Sequence, residues 1–424
     1  MAEVDASFGH GAMSWSLWLP CGLEGWRGTI ASRVASACMI VVIDSRSGET
    51  PDRPMSNLLD AIRRGRQQVS WRNDPDGDPG PSIEPRGIKV LVVYLFRGLG
   101  DAVLLVPAVK ALVDVGAEVE VLVQEKAARI LKLVDLRWQI HTLPGALDLG
   151  AEDPRWQEAD VLEQEAKMMR KLASRKYDVA IELTARADAD GRRWVSATHA
   201  SHRLGWVIEQ ESAEAAGLTF GTPDVRLQTD RHWSRFQMLP MRCFGVTEPK
   251  FDIPFDIPEE VLLRATGSYG TTPRMLLVPG AQQEERRWPL EHFARVGRWV
   301  TECGGSVVVC GAPHESDLVE EIVGLIGKDA RLFAGEDLQT LLALIATSDV
   351  VVTNDTGPMH FAFLLRVPTV AIFTWMSPLV WGPPNKDPRF VVIRAQHFDE
   401  AKDAGGLLAQ TVIHHVEGLL MYTL

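Results

Sequence analysis

The segment with the clearest chemical potential is Val350–His360, VVVTNDTGPMH. Its β-branched run predicts a buried strand, and the proline after NDTG predicts the start of a helix. Backbone N–H groups at a helix start bind anions, so Thr356 and Gly357 suit a phosphate, and His360 is placed to add a donor. Asp355 also opens a D-T-G triplet, but aspartic proteases pair two such aspartates. One copy in an α/β pattern excludes that chemistry.

A second polar loop, Pro279–Pro289 (PGAQQEERRWP), follows another predicted strand. Gly280 permits close backbone approach, and Gln282 lies in the same loop. Arg286 precedes a predicted helix, where a guanidinium can hold a diphosphate through paired hydrogen bonds. The alternative is a solvated loop whose two glutamates neutralise its two arginines, and spacing alone favours that alternative.

A third strand end carries Gly311–Glu315, GAPHE. A carboxylate at this place, here Glu315, is suited to accept hydrogen bonds from ribose hydroxyls. The alternative is an acid that stabilises a helix start through the helix dipole.

A fourth glycine turn, GLGD, ends at Asp101. A dinucleotide fingerprint would need glycine where Val103 stands, which argues against a nicotinamide dehydrogenase. Asp101 lies at the start of a helix that we expect to face a cleft, and an ordinary N-cap aspartate is the alternative that spacing favours.

The elements that carry these residues alternate between strand and helix, which predicts an α/β protein with doubly wound parallel sheets. The proline-rich Thr247–Glu260 separates two such series. We therefore expect an N-terminal extension and linker at 1–85, a Rossmann-like acceptor lobe at 86–255 and a Rossmann-like donor lobe at 256–424, with the two lobes facing a central cleft. The predicted strands are Ile88–Leu95, Glu118–Val123, Asp178–Leu183, Met275–Val278, Ser306–Cys310, Asp349–Thr353 and Thr369–Phe373, and the predicted helices are Ala102–Val115, Ala127–Leu133, Glu158–Arg175, Leu290–Thr301, Ser316–Ile326, Leu338–Ala346 and Met359–Leu365.

The first 85 residues lack sustained periodicity. Ala37–Ile43 predicts a strand, Asn57–Val69 a short basic helix, and Asn73–Arg86 a linker. The function of this extension is not readable from its sequence, and Met55 is an alternative start of translation.

The composition excludes several classes of protein. The 424 residues include 44 Lys and Arg against 56 Asp and Glu, a net charge of −12, which argues against bulk binding of nucleic acid. Five cysteines without a C-x-x-C pair predict reduced thiols in a cytoplasmic protein. No P-loop, zinc-spaced cluster or apolar run long enough to span a membrane is present.

Together these motifs resemble the heptosyltransferases of glycosyltransferase family nine, which have the two-lobed GT-B fold. The resemblance runs in order from Ile88 to the C-terminus. It rests on six segments, namely IKVLVVYLFRGLGDAVLLVPAVKAL, YDVAIEL with HRLG, Arg231–Gly245, Gly280–Pro289, Gly311–Glu315 and Asp355–His360.

The resemblance implies an inverting glycosyltransferase that moves a heptose from ADP-heptose to a lipopolysaccharide-core or related glycan. Asp101 matches the family's proposed catalytic base, and neither a metal nor another cofactor is expected. The donor-binding residues would be Gly280, Gln282, Arg286, Glu315, Asp355, Thr356, Gly357 and His360. Candidate partners of an anionic acceptor are Arg97, Arg186, Arg192, Arg193 and Arg203, with a solvated basic loop as the alternative. The expected location is the cytoplasm, with peripheral association at the cytoplasmic face of the inner membrane.

The chain departs from the family pattern at two places. Arg286 stands where many members carry lysine. After Thr369–Phe373 the family usually continues with a glycine-proline turn, whereas this chain has Thr374-Trp375-Met376-Ser377. Trp375 and Trp381 would stack on a sugar or adenine, or fill the core, and we favour the core. Two alternative functions remain: transfer of another nucleotide sugar to a protein or small molecule, and nucleotide-sugar binding without turnover.

Overall fold

The computed structural model describes residues 40–43, 80–95, 98–147, 154–184, 189–207, 213–214, 216–223, 232–335, 337–395 and 407–423. The chain forms two compact units. The N-terminal unit is Gly48–Asp256, and the C-terminal unit is Ile257–Leu424 together with Met1–Ser47. Strand β1, Ile40–Ile43, belongs to the C-terminal unit.

The N-terminal unit contains a six-stranded sheet whose neighbouring strands are all parallel. Its strand order is β4-β3-β2-β5-β6-β7, so the order reverses between β2 and β5. Its strands are β2 (Lys89–Tyr94), β3 (Glu118–Val123), β4 (Trp138–Thr142), β5 (Val179–Glu182), β6 (His202–Val207) and β7 (Phe220–Pro223), and its helices are α1 (Leu99–Asp114), α2 (Glu125–Leu131), α3 (Ala159–Ser174), α4 (Ala189–Ala197) and α5 (Trp233–Phe236).

The C-terminal unit contains a seven-stranded parallel sheet in the order β1-β13-β12-β11-β8-β9-β10. Its strand order reverses between β8 and β11. The further strands are β8 (Arg274–Val278), β9 (Ser306–Gly311), β10 (Ala330–Ala334), β11 (Val350–Asn354), β12 (Thr369–Phe373) and β13 (Phe390–Ala395), and the helices are α6 (Glu259–Ser268), α7 (Leu290–Glu302), α8 (Ser316–Ile326), α9 (Leu338–Ala346), α10 (Gly357–Leu364), α11 (Pro378–Trp381) and α12 (Leu407–Thr423).

Both cores follow from strands that are apolar on both faces. All five residues of β11 and all five of β12 are buried, as expected for central parallel strands covered by helices. In the C-terminal unit the apolar stripes of α7, α8 and α12 pack on the sheet. In the N-terminal unit α3 and α4 contribute Leu172, Trp194 and Val195 to the core. Burial of these faces supplies the main driving force that holds each sheet in shape.

One buried charge is held inside the N-terminal unit. Glu120 on β3 accepts hydrogen bonds from Arg175 and Tyr177, contacts the His141 ring at 2.6 Å and pairs with Lys89 at 3.1 Å. Burial by itself raises the pKa of Glu120, but these partners outweigh it and lower the pKa to about 2. The network ties the end of α3 to the sheet.

The predicted alternation of strands and helices is confirmed. Two central elements, Glu118–Val123 and Thr369–Phe373, have the predicted bounds. Helix α1 begins three residues earlier than predicted, so Gly98 is its N-cap, and the N-cap interpretation of Asp101 is wrong. The predicted helix Asn57–Val69 lies outside the described residues. In the part of the chain that the structure describes, no helix is long and apolar enough to cross a bilayer.

Candidate functional site

The strongest candidate site lies where the strand order of the C-terminal sheet reverses. Strands β8 and β11 are neighbours there, with Val278 opposite Thr353. Parallel α/β sheets bind ligands beyond the carboxyl ends of their strands at such a point. The two loops that leave this point are Pro279–Pro289 and Asp355–Thr356, and both were predicted to carry donor-binding residues.

Arg286 and Asp355 join the two loops. Nη2 of Arg286 donates to a carboxylate oxygen and to the backbone oxygen of Asp355, both at 2.7 Å. Burial raises the pKa of Asp355, and the adjacent guanidinium opposes the increase without cancelling it. The partner of Arg286 is therefore Asp355, rather than the loop glutamates that the alternative interpretation named.

The Arg286–Asp355 pair retains unused hydrogen-bonding capacity. Within the described residues, the buried atoms Arg286 Nε, Trp288 Nε1 and Asp355 Oδ1 have no hydrogen-bond partner. The bonds of Arg286 to Asp355 use Nη2 alone, which leaves the Nε–H and Nη1–H donors for an additional acceptor. Buried polar atoms without partners are costly, and their presence together indicates a place where a ligand completes the hydrogen bonds.

The start of α10 adds two backbone donors. Thr356 is the N-cap with extended backbone angles, and Pro358 occupies the second helical position, where it replaces an amide that has no acceptor in the helix. Within the described part of the chain, no backbone acceptor receives the amide protons of Thr356 or Gly357. Together with the helix dipole, these N–H groups can bind an anionic oxygen.

Glu315 lies next to the same loops, against Gly280. A Cβ built on Gly280 would lie 2.3 Å from both carboxylate oxygens of Glu315. One oxygen, Oε2, accepts a hydrogen bond from the Ala312 amide at 2.9 Å. The structure therefore includes the helix-start interaction that was the alternative for Glu315, and it leaves Oε1 for a further donor. Gly280 is required because any side chain would displace the carboxylate.

Asn354 is a site residue that sequence reasoning missed. It is fully buried at the end of β11. Its Nδ2 donates to the Pro279 carbonyl at 2.7 Å, and its Oδ1 accepts from the Trp288 amide at 3.1 Å. The asparagine in NDTG was the only signal, and a strand-end asparagine has too many ordinary roles to be singled out.

The remaining predicted donor residues differ in exposure. Gln282 is exposed in the loop, whereas His360 is buried in α10. Trp381 packs against a core cluster, as favoured, but Trp375 is 49% exposed, so its core interpretation is wrong. The hydroxyl of the preceding residue, Thr374, donates to the Glu285 carbonyl at 2.6 Å, which ties this turn to the Arg286 loop.

In the N-terminal unit, Asp101 lies in the first turn of α1, beyond the carboxyl end of β2. Its carboxylate folds back over Gly98, where a Cβ would lie 2.2 Å from Oδ2. Its backbone oxygen accepts the buried Tyr94 hydroxyl at 2.8 Å. Burial raises the pKa of Tyr94, and the negative charge of Asp101 raises it further. Asp101 is thus a partly exposed carboxylate at the point where this sheet reverses its order.

Glu182 was not predicted as a site residue, although it lies beside the same point. It ends β5 and is fully buried. Gly191 and Gly205 make room for it, since a Cβ on Gly191 would lie 2.6 Å from its Cγ. Its charge also acts on Tyr94, which places it near the end of β2. In the sequence, a single acid at the end of an apolar strand pattern does not indicate a functional site.

The structure describes three of the five candidate acceptor arginines. Arg97 and Arg186 lie outside the described residues. Arg193 pairs with Glu165 at 2.7 Å, and Arg203 donates to the carbonyls of Gly217 and Ala200. Arg192, on α4, is half-buried. These contacts fasten loops of the N-terminal unit, and a role toward an acceptor stays a prediction.

The described residues contain no group of three or more His, Cys, Asp or Glu side chains that could hold a metal ion. The described cysteines Cys243, Cys303 and Cys310 are free thiols.

Comparison with known families gives one match that spans both units. The profile of glycosyltransferase family 9 (heptosyltransferase) matches residues 165–405. The match includes β5 of the N-terminal unit and all the predicted donor-binding residues of the C-terminal unit.

Individual relatives align over shorter segments. Lipopolysaccharide heptosyltransferase 2 of Escherichia coli is 30% identical over 148 residues, which are 33% of this chain and 42% of the relative. Lipopolysaccharide core heptosyltransferase OpsX of Haemophilus influenzae is 30% identical over 114 residues, 26% of this chain and 33% of the relative. The alignments therefore span between a third and a half of these relatives' lengths.

Solved structures resemble this chain over most of its length. A glycosyl transferase family 9 protein from Veillonella parvula superposes with a TM-score of 0.65 at 20% identity, covering 80% of this chain and 99% of that one. The E. coli ADP-heptose lipopolysaccharide heptosyltransferase II gives 0.60 at 19% identity, covering 79% and 99%. The predicted GT-B fold, with two Rossmann-like units, is confirmed.

Proposed function

Because the chain belongs to glycosyltransferase family 9, the heptosyltransferases, we propose that it transfers a heptose from ADP-heptose to a sugar of the lipopolysaccharide core or a related glycan. The observation that carries the proposal is Arg286 at the reversal point of the C-terminal sheet, with Nε and Nη1 open beside the start of α10. A guanidinium fork next to two backbone amides suits a diphosphate. The names of the relatives supply the donor and the acceptor class.

We assign the donor contacts by their chemistry. Arg286 and the amides of Thr356 and Gly357 bind the diphosphate, and Oε1 of Glu315 accepts a ribose hydroxyl. The unpartnered Oδ1 of Asp355 accepts a hydroxyl of the sugar. Gln282 and His360 add polar contacts from the loop and from α10, and Gly280 keeps Glu315 in place.

The proposed reaction is a single displacement with inversion. The carboxylate of Asp101 takes the proton from an acceptor hydroxyl as its oxygen forms a bond to the anomeric carbon of the heptose. The bond from that carbon to the diphosphate breaks, and ADP leaves with the bonding electrons. Arg286 and the start of α10 stabilise the negative charge that develops on the leaving group, which is usually the largest catalytic contribution.

Three subsidiary assignments follow from the same proposal. Since Arg286 and the helix start supply positive potential to the leaving group, we propose that transfer proceeds without a divalent cation. We also propose that Arg97, Arg186, Arg192, Arg193 and Arg203 form the side that meets an anionic acceptor. The protein would work in the cytoplasm, in peripheral contact with the inner membrane, and its free cysteines fit a reducing compartment.

The experiment is a donor panel read by mass spectrometry. The full-length protein is incubated with ADP-heptose, ADP-glucose or UDP-sugars, each with a heptose-deficient lipid-core acceptor, and with EDTA in a parallel series. We expect the acceptor to gain one heptose from ADP-heptose alone, with and without EDTA. Transfer from a different nucleotide sugar, or ADP binding without product from any donor, would contradict the proposed reaction.

A binding assay tests directly whether Arg286 binds the diphosphate. ADP should raise the melting temperature of the protein because it binds only the folded state. Arg286→Ala should reduce that increase, and Arg298→Ala is the matched control because Arg298 is exposed on α7 and donates to the Leu325 carbonyl, outside the loop. Equal shifts in both variants would remove Arg286 from the site.

A further inference from the structure

We infer that Asn354 is a positioning residue: its side-chain amide fastens both ends of the loop Pro279–Trp288 and thereby fixes Arg286 where the donor diphosphate binds. That Arg286 is positioned for the donor rests on the proposed function, whereas the attachment of the loop to Asn354 rests on the structure alone. Asn354 belongs to β11, and the loop that it holds follows the neighbouring strand β8.

The two hydrogen bonds run in opposite directions. The Asn354 Nδ2–H donates to the carbonyl of Pro279, the first residue of the loop, and Oδ1 accepts from the amide of Trp288, the last. A primary amide is the side chain that offers a donor and an acceptor on adjacent atoms. Aspartate at 354 would keep the acceptor for Trp288 but would set a carboxylate oxygen against the Pro279 carbonyl.

The rest of the loop needs such an anchor. Residues Gln282–Glu285 are exposed. The loop's internal backbone bonds join near neighbours, from Arg286 N to Gln283 O and from Arg287 N to Glu284 O, and one longer bond runs from Arg287 Nε to the Ala281 carbonyl at 3.0 Å. Contacts from outside the loop's own residues come from Thr374 and Asp355 near its middle. Asn354, which is fully buried, ties the first residue of the loop to the last from a neighbouring strand.

Fixing the loop before the donor arrives lowers the entropy that binding must remove. Without Asn354 the guanidinium would sample positions away from the start of α10, and part of the binding free energy would be used to recover it. Loss of one buried hydrogen bond with an unsatisfied partner corresponds to a change of about tenfold or more in an equilibrium constant.

The first test compares ADP affinity in Asn354→Asp with that in the unmutated full-length protein, measured by calorimetry well below the melting temperature. The control is Thr369→Val, which removes a buried hydroxyl that donates to the Val367 carbonyl at the opposite end of the neighbouring strand. We expect the dissociation constant to rise about tenfold or more in Asn354→Asp and less than twofold in the control, although both variants lose melting temperature. An affinity within twofold of the unmutated protein in Asn354→Asp would overturn the inference.

The second test asks whether Asn354 acts through Arg286. In an Arg286→Ala background, Asn354→Asp should change the ADP dissociation constant by less than twofold, since no guanidinium is left to position. An equal tenfold loss in both backgrounds would overturn the positioning role.

The third test keeps the inference separate from the proposed function. Hydrogen exchange at the amides of Arg286, Arg287 and Trp288, all hydrogen-bonded in the structure, should be faster in Asn354→Asp than in Thr369→Val. Unchanged exchange would overturn the fastening even if ADP binds. Faster exchange in a protein that does not bind ADP would support the fastening and defeat the proposed function instead.

Discussion

The burial of the Asp355 carboxylate is not explained by a contribution to stability. The residue is 2% exposed, and burial raises its pKa although Arg286 lies 2.7 Å away. A buried carboxylate whose pKa is raised despite its contact with a guanidinium works against stability at neutral pH. Its retention is understandable if it holds Arg286 by one nitrogen and presents its other oxygen to a ligand, and perturbed acids of this kind concentrate at functional sites.

Asp355→Asn should therefore change the pH dependence of stability. Because the pKa of Asp355 in the folded protein is raised above its ordinary value of 3.8, its stabilising contribution is present below that value and is lost as the pH rises through the folded pKa. Asparagine does not titrate. We expect the melting temperature of the unmutated protein, relative to that of Asp355→Asn, to fall as the pH rises above 3.8, with weaker ADP binding in the variant. A difference that grows with pH would contradict the raised pKa.

At this scale the sequence predicts which residues matter better than it predicts their partners. Arg286 and Asp355 could be selected from their places after strands, but they are 69 positions apart, and spacing alone favoured the nearby glutamates as partners. Asn354 and Glu182 were missed because each ends an apolar strand, and only the register of parallel strands shows what their side chains meet.

At the scale of elements, both units use a glycine to let a carboxylate lie across a strand-to-helix turn. In the C-terminal unit the pair is Gly280 and Glu315, and in the N-terminal unit it is Gly98 and Asp101, with Cβ-to-oxygen distances of 2.3 and 2.2 Å. The glycines of the two motifs therefore make room for acids. The sequence predicted the turns but not which side chain fills the space.

Gly280→Ala tests this arrangement. The added methyl group must displace the Glu315 carboxylate, so we expect ADP affinity to fall about tenfold, the size of one lost charge-assisted hydrogen bond. Gly324→Ala is the matched control, since a Cβ in that helix meets nothing within 4 Å. Calorimetry on both variants gives the comparison, and an unchanged affinity in Gly280→Ala would show that Glu315 does not contact the nucleotide.

The hydrogen bonds and ion pairs of Glu120 connect the end of α3 to its sheet. Glu120→Gln measures how much they contribute to the free energy of unfolding. The pKa of Glu120 is lowered from 4.5 to about 2, which corresponds to about 3 kcal/mol of stability at neutral pH. That contribution is present above pH 4.5 and is lost as the pH falls toward 2. Chemical denaturation at pH 7 should show a loss of this order in Glu120→Gln. Its exposed neighbour on β3, Glu118, serves as the control, and an equal loss in Glu118→Gln would contradict a specific role.

Two of the strands that the sequence missed lie at sheet edges. Strands β4 and β10 are only partly buried there, so they lack the continuous apolar run that identifies a central parallel strand. The central strands β3 and β12 were predicted to the residue. The hydrophobic pattern of a sequence reflects burial, so a half-exposed strand has a weaker pattern than a central one.

At the scale of the whole molecule, the two units repeat one topology. Each sheet has strands ordered as 3-2-1-4-5-6 about its reversal point, with β1 added at one edge of the C-terminal sheet. In each unit, acidic residues lie at that reversal point, Asp101 and Glu182 in one and Asp355 in the other. In the C-terminal unit this acid pairs with Arg286. In the proposed reaction, the N-terminal sheet supplies the base and the C-terminal sheet supplies the anion site.

This division of labour predicts a separation of kinetic effects. Asp101→Asn should lower kcat by about 10²–10⁴-fold, the usual contribution of a positioned base, while the ADP dissociation constant stays within twofold of the unmutated value. Asparagine keeps the shape over Gly98 but cannot take a proton. Asp114→Asn, at the other end of α1 in an ion pair with Lys110, is the control and should leave kcat unchanged. Turnover by Asp101→Asn near that of the control, or an equal loss of ADP affinity, would move proton transfer to another residue, and the buried Glu182 would be the next to replace.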